Sequence, residues 1–189
     1  MRQLPADEPL ATARLALEPL LPAHAARLYP ALRERELYTY IPQPPPASVE
    51  ALETRYRRLA SRRSPDGAEI WLNWAARLAD APDSPAYVGT FEATVYGDGS
   101  AAIAYMIFGP HQRRGYAAEG CRAVLAYLAR AVGVRRAFAE IDTRNAASVA
   151  LVGSLGFVRV ALRPNADFFK GASSDEYRYE RALDGMTER

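Results

Sequence analysis

The stretch from Gln112 to Phe157, QRRGYAAEGCRAVLAYLARAVGVRRAFAEIDTRNAASVALVGSLGF, decides how this chain is read. It follows an apolar, strand-like run, Ile103 to Phe108, and opens on Gln112-Arg113-Arg114-Gly115-Tyr116-Ala117. From Ala117 to Val132, the residues Ala117, Cys121, Val124, Leu125, Leu128 and Val132 recur at helical spacing and form one apolar stripe; Glu119, Arg122 and Arg130 fall off it. Gly133 stands where a helix takes a left-handed closing residue. Ala137 to Asp142 reads as a strand, and Asn145 and Gly156 bracket a further helix as N-cap and terminator. Strand, glycine turn, helix, strand, helix is a βαβ crossover. Its turn runs into a helix N-terminus, where unpaired N–H groups and the helix dipole attract anions.

Outward from the crossover, alternation of apolar and polar residues marks strands at Ala13–Leu20, Trp71–Leu78, Tyr87–Tyr96 and Ala101–Phe108. Gly97-Asp98-Gly99 supplies a hairpin between the last two, so three successive antiparallel strands precede the crossover. Residues 1–11 read as a flexible tail. Pro22 opens a short helix through Leu28 and Leu32, and Ser48 caps a second carrying Leu52, Tyr56 and Leu59 on one face. The proline-rich link between them, Tyr38 to Pro46, is a stiff loop, with Tyr38 and Tyr40 open to a cleft role or to packing. Asp80 to Pro85 is another loop. After Phe157, Val158–Leu162 and Tyr177–Leu183 read as closing strands, joined by a polar and aromatic loop, Arg163 to Ser174.

With 189 residues, no repeat and no linker, the chain reads as one domain, 1–189. A net charge of +2 gives no electrostatic case for nucleic acid, and the arginine run at Arg55, Arg57, Arg58, Arg62 and Arg63 reads as a solvated helix face. No apolar run is long enough to span a membrane, and the N-terminus lacks the basic flank and apolar core of a signal peptide. One cysteine, Cys121, excludes an internal disulfide and fits a reducing, cytoplasmic setting. Two histidines, His24 and His111, without ligand spacing argue against a metal site. Neither Gly-x-x-x-x-Gly-Lys-[Ser/Thr] nor Gly-x-Gly-x-x-Gly is present, which excludes a P-loop and a Rossmann dinucleotide site.

Gln112-Arg113-Arg114-Gly115-Tyr116-Ala117 resembles the acetyl-CoA signature of the GNAT N-acetyltransferases, [Gln/Arg]-x-x-Gly-x-[Gly/Ala]. Asn145-x-x-Ser148 with Leu155-Gly156-Phe157 is similar to that superfamily's second block, in the spacing of its RimJ/RimL-like branch. The resemblance is specific over about residues 87–160. It implies an α+β fold with a mixed, mostly antiparallel central sheet of about six to seven strands, helices on both faces and the crossover at the cofactor site. It also implies acetyl-CoA as co-substrate, with no metal, and direct attack by a primary amine in a ternary complex. The acceptor would be a peptide or ribosomal-protein N-terminus, or a small amine such as a polyamine, amino acid or antibiotic. The protein would be a monomer or homodimer.

Under that resemblance, the amides of Arg113 to Ala117 and the side chains of Gln112, Arg113 and Arg114 surround the diphosphate. Met106, Ile107 and Phe108, on the strand that splays from its neighbour, run beside the pantetheine arm. Asn145 contacts the arm, and Ser148 protonates the leaving thiolate. A carboxylate must free the amine of its proton. Asp167 is the first candidate, with Glu92 and Glu140 as rivals; Phe168 and Phe169 stand where related enzymes often carry a tyrosine acid. A non-catalytic acyl-CoA-binding module is the alternative from another class.

Overall fold

The computed structural model describes residues 8–80 and 87–184. The chain begins with two strands, β1 (Leu10–Ala11) and β2 (Leu15–Pro19), then two helices, α1 (Ala25–Leu32) and α2 (Val49–Leu59). Three long strands follow: β3 (Ile70–Leu78), β4 (Tyr87–Val95) and β5 (Ser100–Ile107). The crossover consists of α3 (Tyr116–Tyr127), β6 (Arg136–Asp142) and α4 (Ala146–Ser154), and the hairpin β7 (Val158–Phe169) and β8 (Ala172–Ala182) closes the chain. All strands join one sheet of eight, in the order β1-β2-β3-β4-β5-β6-β8-β7, with β5–β6 its parallel pair.

The mostly antiparallel sheet with helices on both faces is the expected architecture, with details added at both ends. Leu10 and Ala11 pair with Leu17 and Ala16, so the tail expected over residues 1–11 is structured by Leu10. Residues 1–7, and all of the expected Asp80–Pro85 loop beyond Asp80, lie outside the described residues. The loop expected from Arg163 to Ser174 is instead the outer half of the β7–β8 hairpin: Asp167, Phe168 and Phe169 face Ser174, Ser173 and Ala172. Register shifts near Val160 and after Arg163 break the alternation there, which hides strand periodicity from a reading of the sequence. The α3 stripe continues past Tyr127 in a π-helical turn, Leu128–Val132, ended by Gly133 at φ 82° as the spacing predicts.

Alternation within β3 divides the core between two faces. Leu72, Trp74 and Ala76 face α3 and α4 with Phe91, Val124, Leu125 and Val152, while Ala75 joins Leu28, Leu52, Tyr56 and Phe108 beneath α1 and α2. Cys121 is buried on the α3 stripe, and burial pushes its thiol up to about 12, so it serves as a core residue.

One irregularity positions everything that follows. β6 pairs with β5 only at Ser100, Ala101 and Ala102, opposite Arg136, Ala137 and Phe138, and then leaves it, while on its other edge it pairs with β8 along its full length. At the far end β5 draws in toward β4: a Cβ on Gly89 would overlap the Met106 carbonyl oxygen, so glycine permits the approach.

Gly120 plays the matching part on the helix side, since a Cβ there would run into the fully buried ring of Phe91. Alanine is favoured over glycine inside a helix by about 1 kcal/mol. Gly120→Ala is nevertheless expected to lower stability, by about 1–3 kcal/mol from overpacking. Thermal unfolding reads the sign, and adding Phe91→Leu should recover part of the loss.

Candidate active site

The glycine turn leaves backbone N–H groups open. Gly115 caps α3 at φ 82°, and Arg113, at φ 59°, also takes the left-handed conformation. Among the described residues no backbone hydrogen bond uses the N–H groups of Arg113, Arg114 and Gly115, and Tyr116 and Ala117 begin the helix, where N–H groups lack intrahelical acceptors. A side chain at Gly115 would crowd the Arg14 guanidinium, with its Cβ 3.3 Å from Nη2.

A clamp from the chain's beginning fixes this turn. Arg14 donates from Nη1 to the Arg114 carbonyl (2.9 Å) and from Nε to Glu119 (2.7 Å), and its ring neighbour is Tyr116, 4.7 Å below. Thr12 Oγ and the Arg14 N–H also donate to Glu119, at 2.6 and 2.8 Å. Burial pushes the Glu119 carboxyl up, but these donors outweigh it and hold the group below its usual range. Gln112 turns inward, donating from Nε2 to the Ile107 carbonyl at 3.0 Å, so it fastens the end of β5 to the turn. Phe108 differs from the expectation of an arm-facing residue. Its side chain is core, its N–H donates to Val88 (2.9 Å), and its carbonyl accepts from His111 (2.8 Å).

Where β5 and β6 part, a cleft of about 280 Å³ opens, lined from β5 by Ala104, Tyr105 and Met106 and from β6 by Glu140 and Asp142. Tyr38, Tyr40 and Tyr56 wall it from the helical side, together with Arg55. The β7–β8 tip is tied over this side, Lys170 Nζ donating to the carbonyls of Tyr38 (2.7 Å) and Thr39 (3.2 Å). Beside the gap, Asn145 caps α4 by accepting from the Ser148 N–H at 3.1 Å, as the sequence spacing predicts.

The acids of the cleft differ in what already holds them. Glu140 is bound by Arg163 (2.7 Å) and Arg178 (3.0 Å). Asp142 is bound by the Arg144 guanidinium, by the Arg144 N–H and by Ser174 Oγ. Glu92, half-buried on β4, has no hydrogen bond or ion pair among the described residues, and its charge reaches the phenols of Tyr38 and Tyr56. Asp167 stands apart from the cleft wall, beside Glu176, which does line it. Burial and then the charges of Asp167 and Glu140 raise the Glu176 carboxyl above its usual value. Glu176 is absent from the sequence-based candidates, although carrying the alternation of Arg178 and Glu180 back two residues places it on the same face of β8.

The site thus combines an open helix N-terminus, a gap between diverging strands and an acidic, aromatic cleft at that gap. Residues 14–158 match the family described as acetyltransferase (GNAT) domain. The chain belongs to the GNAT acetyltransferase family and is an N-acetyltransferase of that fold. Its structure is similar to that of RimL, the ribosomal L7/L12 α-N-protein acetyltransferase solved with coenzyme A (TM-score 0.82, 18% identity, covering 94% of this chain and 99% of that one). It is also similar to spermidine N-acetyltransferase from Vibrio cholerae, solved with CoA and spermine (0.78, 20%, 93% and 99%). A GNAT acetyltransferase from Bacillus anthracis matches as well (0.78, 17%, 94% and 99%). No curated protein matches the chain in sequence. Among the described residues no helix is long and apolar enough to cross a membrane.

The Asp142 cluster makes the cleft acid-sensitive. The Arg144 side-chain donors hold its carboxyl at about 2, against 3.8 for a free aspartate. Because the folded value lies below the unfolded one, the stabilisation is complete above about pH 4 and is lost as pH falls toward 2. Asp142→Asn should remove at most about 2 kcal/mol at neutral pH and flatten the acid limb of an unfolding titration between these values.

Proposed function

We propose that the protein transfers the acetyl group of acetyl-CoA to a primary amine by direct attack, with both substrates bound together. The observation that carries this reading is the unpaired Glu92 carboxylate on the wall of a cleft formed by β5 and β6 where they have separated. The thioester of acetyl-CoA supplies the activated acetyl group. The amides of Arg113 to Ala117, with the Arg113 and Arg114 side chains, receive the diphosphate; their open N–H groups and Gly115's missing Cβ fit that group. The main chain of Met106 and Ile107 runs beside the pantetheine arm as a neighbouring strand would. Asn145 engages Ser148 through Oδ1 and keeps its NH₂ for the arm. Ser148 Oγ serves the departing sulfur.

Glu92 takes the proton from the bound ammonium, directly or through water, since an amine needs its lone pair to react. Asp167 contributes through Glu176, and this acidic side favours a cationic acceptor. The Asn145–Ser148 spacing of the RimJ/RimL-like branch supports a peptide α-amine as first acceptor, as on a ribosomal protein. The acidic wall supports a polyamine as the second. The buried free thiol of Cys121 suits a cytoplasmic setting.

A panel of peptides, polyamines, amino acids and aminoglycosides, read by free CoA released, tests the reaction. Turnover with at least one amine is expected; tight acetyl-CoA binding with silence across the panel would leave only a binding module. Glu92→Gln should lower kcat/KM about 10²–10⁴-fold without changing acetyl-CoA affinity. Gly115→Trp should abolish acetyl-CoA binding by calorimetry while the protein stays folded, and undiminished affinity would remove the turn from the site.

A further inference from the structure

We propose that the acceptor carries a carboxylate on the same molecule as its reacting amine, and that Arg55 at the cleft mouth selects it by binding that carboxylate while Glu92 faces the amine. The inference deepens the proposed transferase reading and rests on it. Arg55 belongs to α2, whose Leu52 and Tyr56 are buried and root the helix against the sheet. Its own side chain is exposed and lines the cleft. Neighbouring arginines of α2 are occupied: Arg57 donates to Glu53 at 2.6 Å, and Arg58 lies over the Trp71 ring. Arg55 has no hydrogen bond or ion pair among the described residues. The positions three and four residues away on the helix, Ala51, Leu52, Arg58 and Leu59, offer it no carboxylate.

Most of the acid on the cleft wall is already answered. Arg163 and Arg178 hold Glu140, Arg144 holds Asp142, and Glu176 stands opposite Arg163 in the β7–β8 ladder. Glu92 keeps its carboxylate without a partner. The cleft is therefore polarised, with an unpaired carboxylate on β4, an unpaired guanidinium on α2, and Tyr38 and Tyr56 on the wall they share. Burial raises both phenols, with Arg55 opposing it and Glu92 adding to it, so the same two rings feel both charges. The phenols stay protonated and give Arg55 no counter-charge.

A molecule bearing an ammonium and a carboxylate presents the opposite charge to each pole. A guanidinium binds a carboxylate through paired, charge-assisted N–H donors. A polyamine would set a second ammonium against Arg55, a like-charge contact that counts against it.

Acceptor pairs that differ in the carboxylate test this: 4-aminobutyrate and phenylalanine against their amides for a free amino acid, and the dipeptide amides Ser-Asp and Ser-Asn for a peptide side chain. For at least one pair, the ratio of kcat/KM, carboxylate over amide, is expected to be about five- to twentyfold higher in wild type than in Arg55→Gln, through KM, with the gap shrinking as salt is added. Comparing the two proteins cancels the differing basicity of the amines, and the pair that responds identifies the source of the carboxylate. Arg55→Glu should lower the ratio further. Arg57→Gln, on the same helix but outside the cleft, should leave it as in wild type. A ratio equal in wild type and Arg55→Gln, a loss that Arg57→Gln matches, or polyamines preferred over every carboxylated amine would each overturn the assignment. A wild-type protein silent with every amine sinks the transferase reading instead. Calorimetry with 4-aminobutyrate, phenylalanine and Ser-Asp then decides for Arg55 alone: binding lost in Arg55→Gln upholds the site, and binding equal in both proteins, or absent from both, ends it.

Discussion

The separation of β5 from β6 after Ala102 is the constraint on which the site depends. A strand in mid-sheet ordinarily has both edges paired, because unpaired backbone groups away from water are costly. Here β5 leaves one edge open from Ile103 onward, while β6 stays paired with β8 along its whole length. An open edge is a template for an extended, amide-bearing partner. The same parting exposes Ala104 in the middle of the sheet, directly opposite Glu92 in the ladder, so that carboxylate borders space instead of a side chain.

Arginines decide which acids remain available in that space. Arg163 and Arg178 hold Glu140, and Arg144 holds Asp142, so these two are tied into the wall. Glu92 has no such partner, and at Glu176 burial and the charges of Asp167 and Glu140 outweigh the Arg163 guanidinium opposite it. Similar residues on neighbouring strands thus divide into structural and reactive groups by their partners, a difference that residue type does not carry.

The glycine turn has a comparable dependence on distant contacts. Its open amides face outward because Arg14 and Thr12 grip Glu119 and the Arg114 carbonyl from behind, about one hundred residues away in sequence. That grip links the β1–β2 corner to the first turn of α3. Lys170 makes a similar link at the other end, joining the β7–β8 tip to the segment after α1. Both ties run from sequence-remote cations to carbonyl or carboxylate oxygens, and no periodicity announces them.

Local rules were enough for the crossover. Period and capping marked the α3 stripe, the left-handed Gly133, and the Asn145 cap at its Ser148 partner, since these depend on residues within a turn of one another. The same holds for the division of β3 into two faces. The tertiary structure alone decided the extent of the β7–β8 hairpin, where register shifts erase alternation, and the fates of Asp167, Glu140 and Glu92. It alone brought Glu176 to the cleft. The sequence by itself determined which segments of the crossover become helix and strand, because there short-range sterics and hydrogen bonding settle it. Which polar groups stay unpaired at the gap follows from pairings across the folded sheet, and those exist only once distant segments have met.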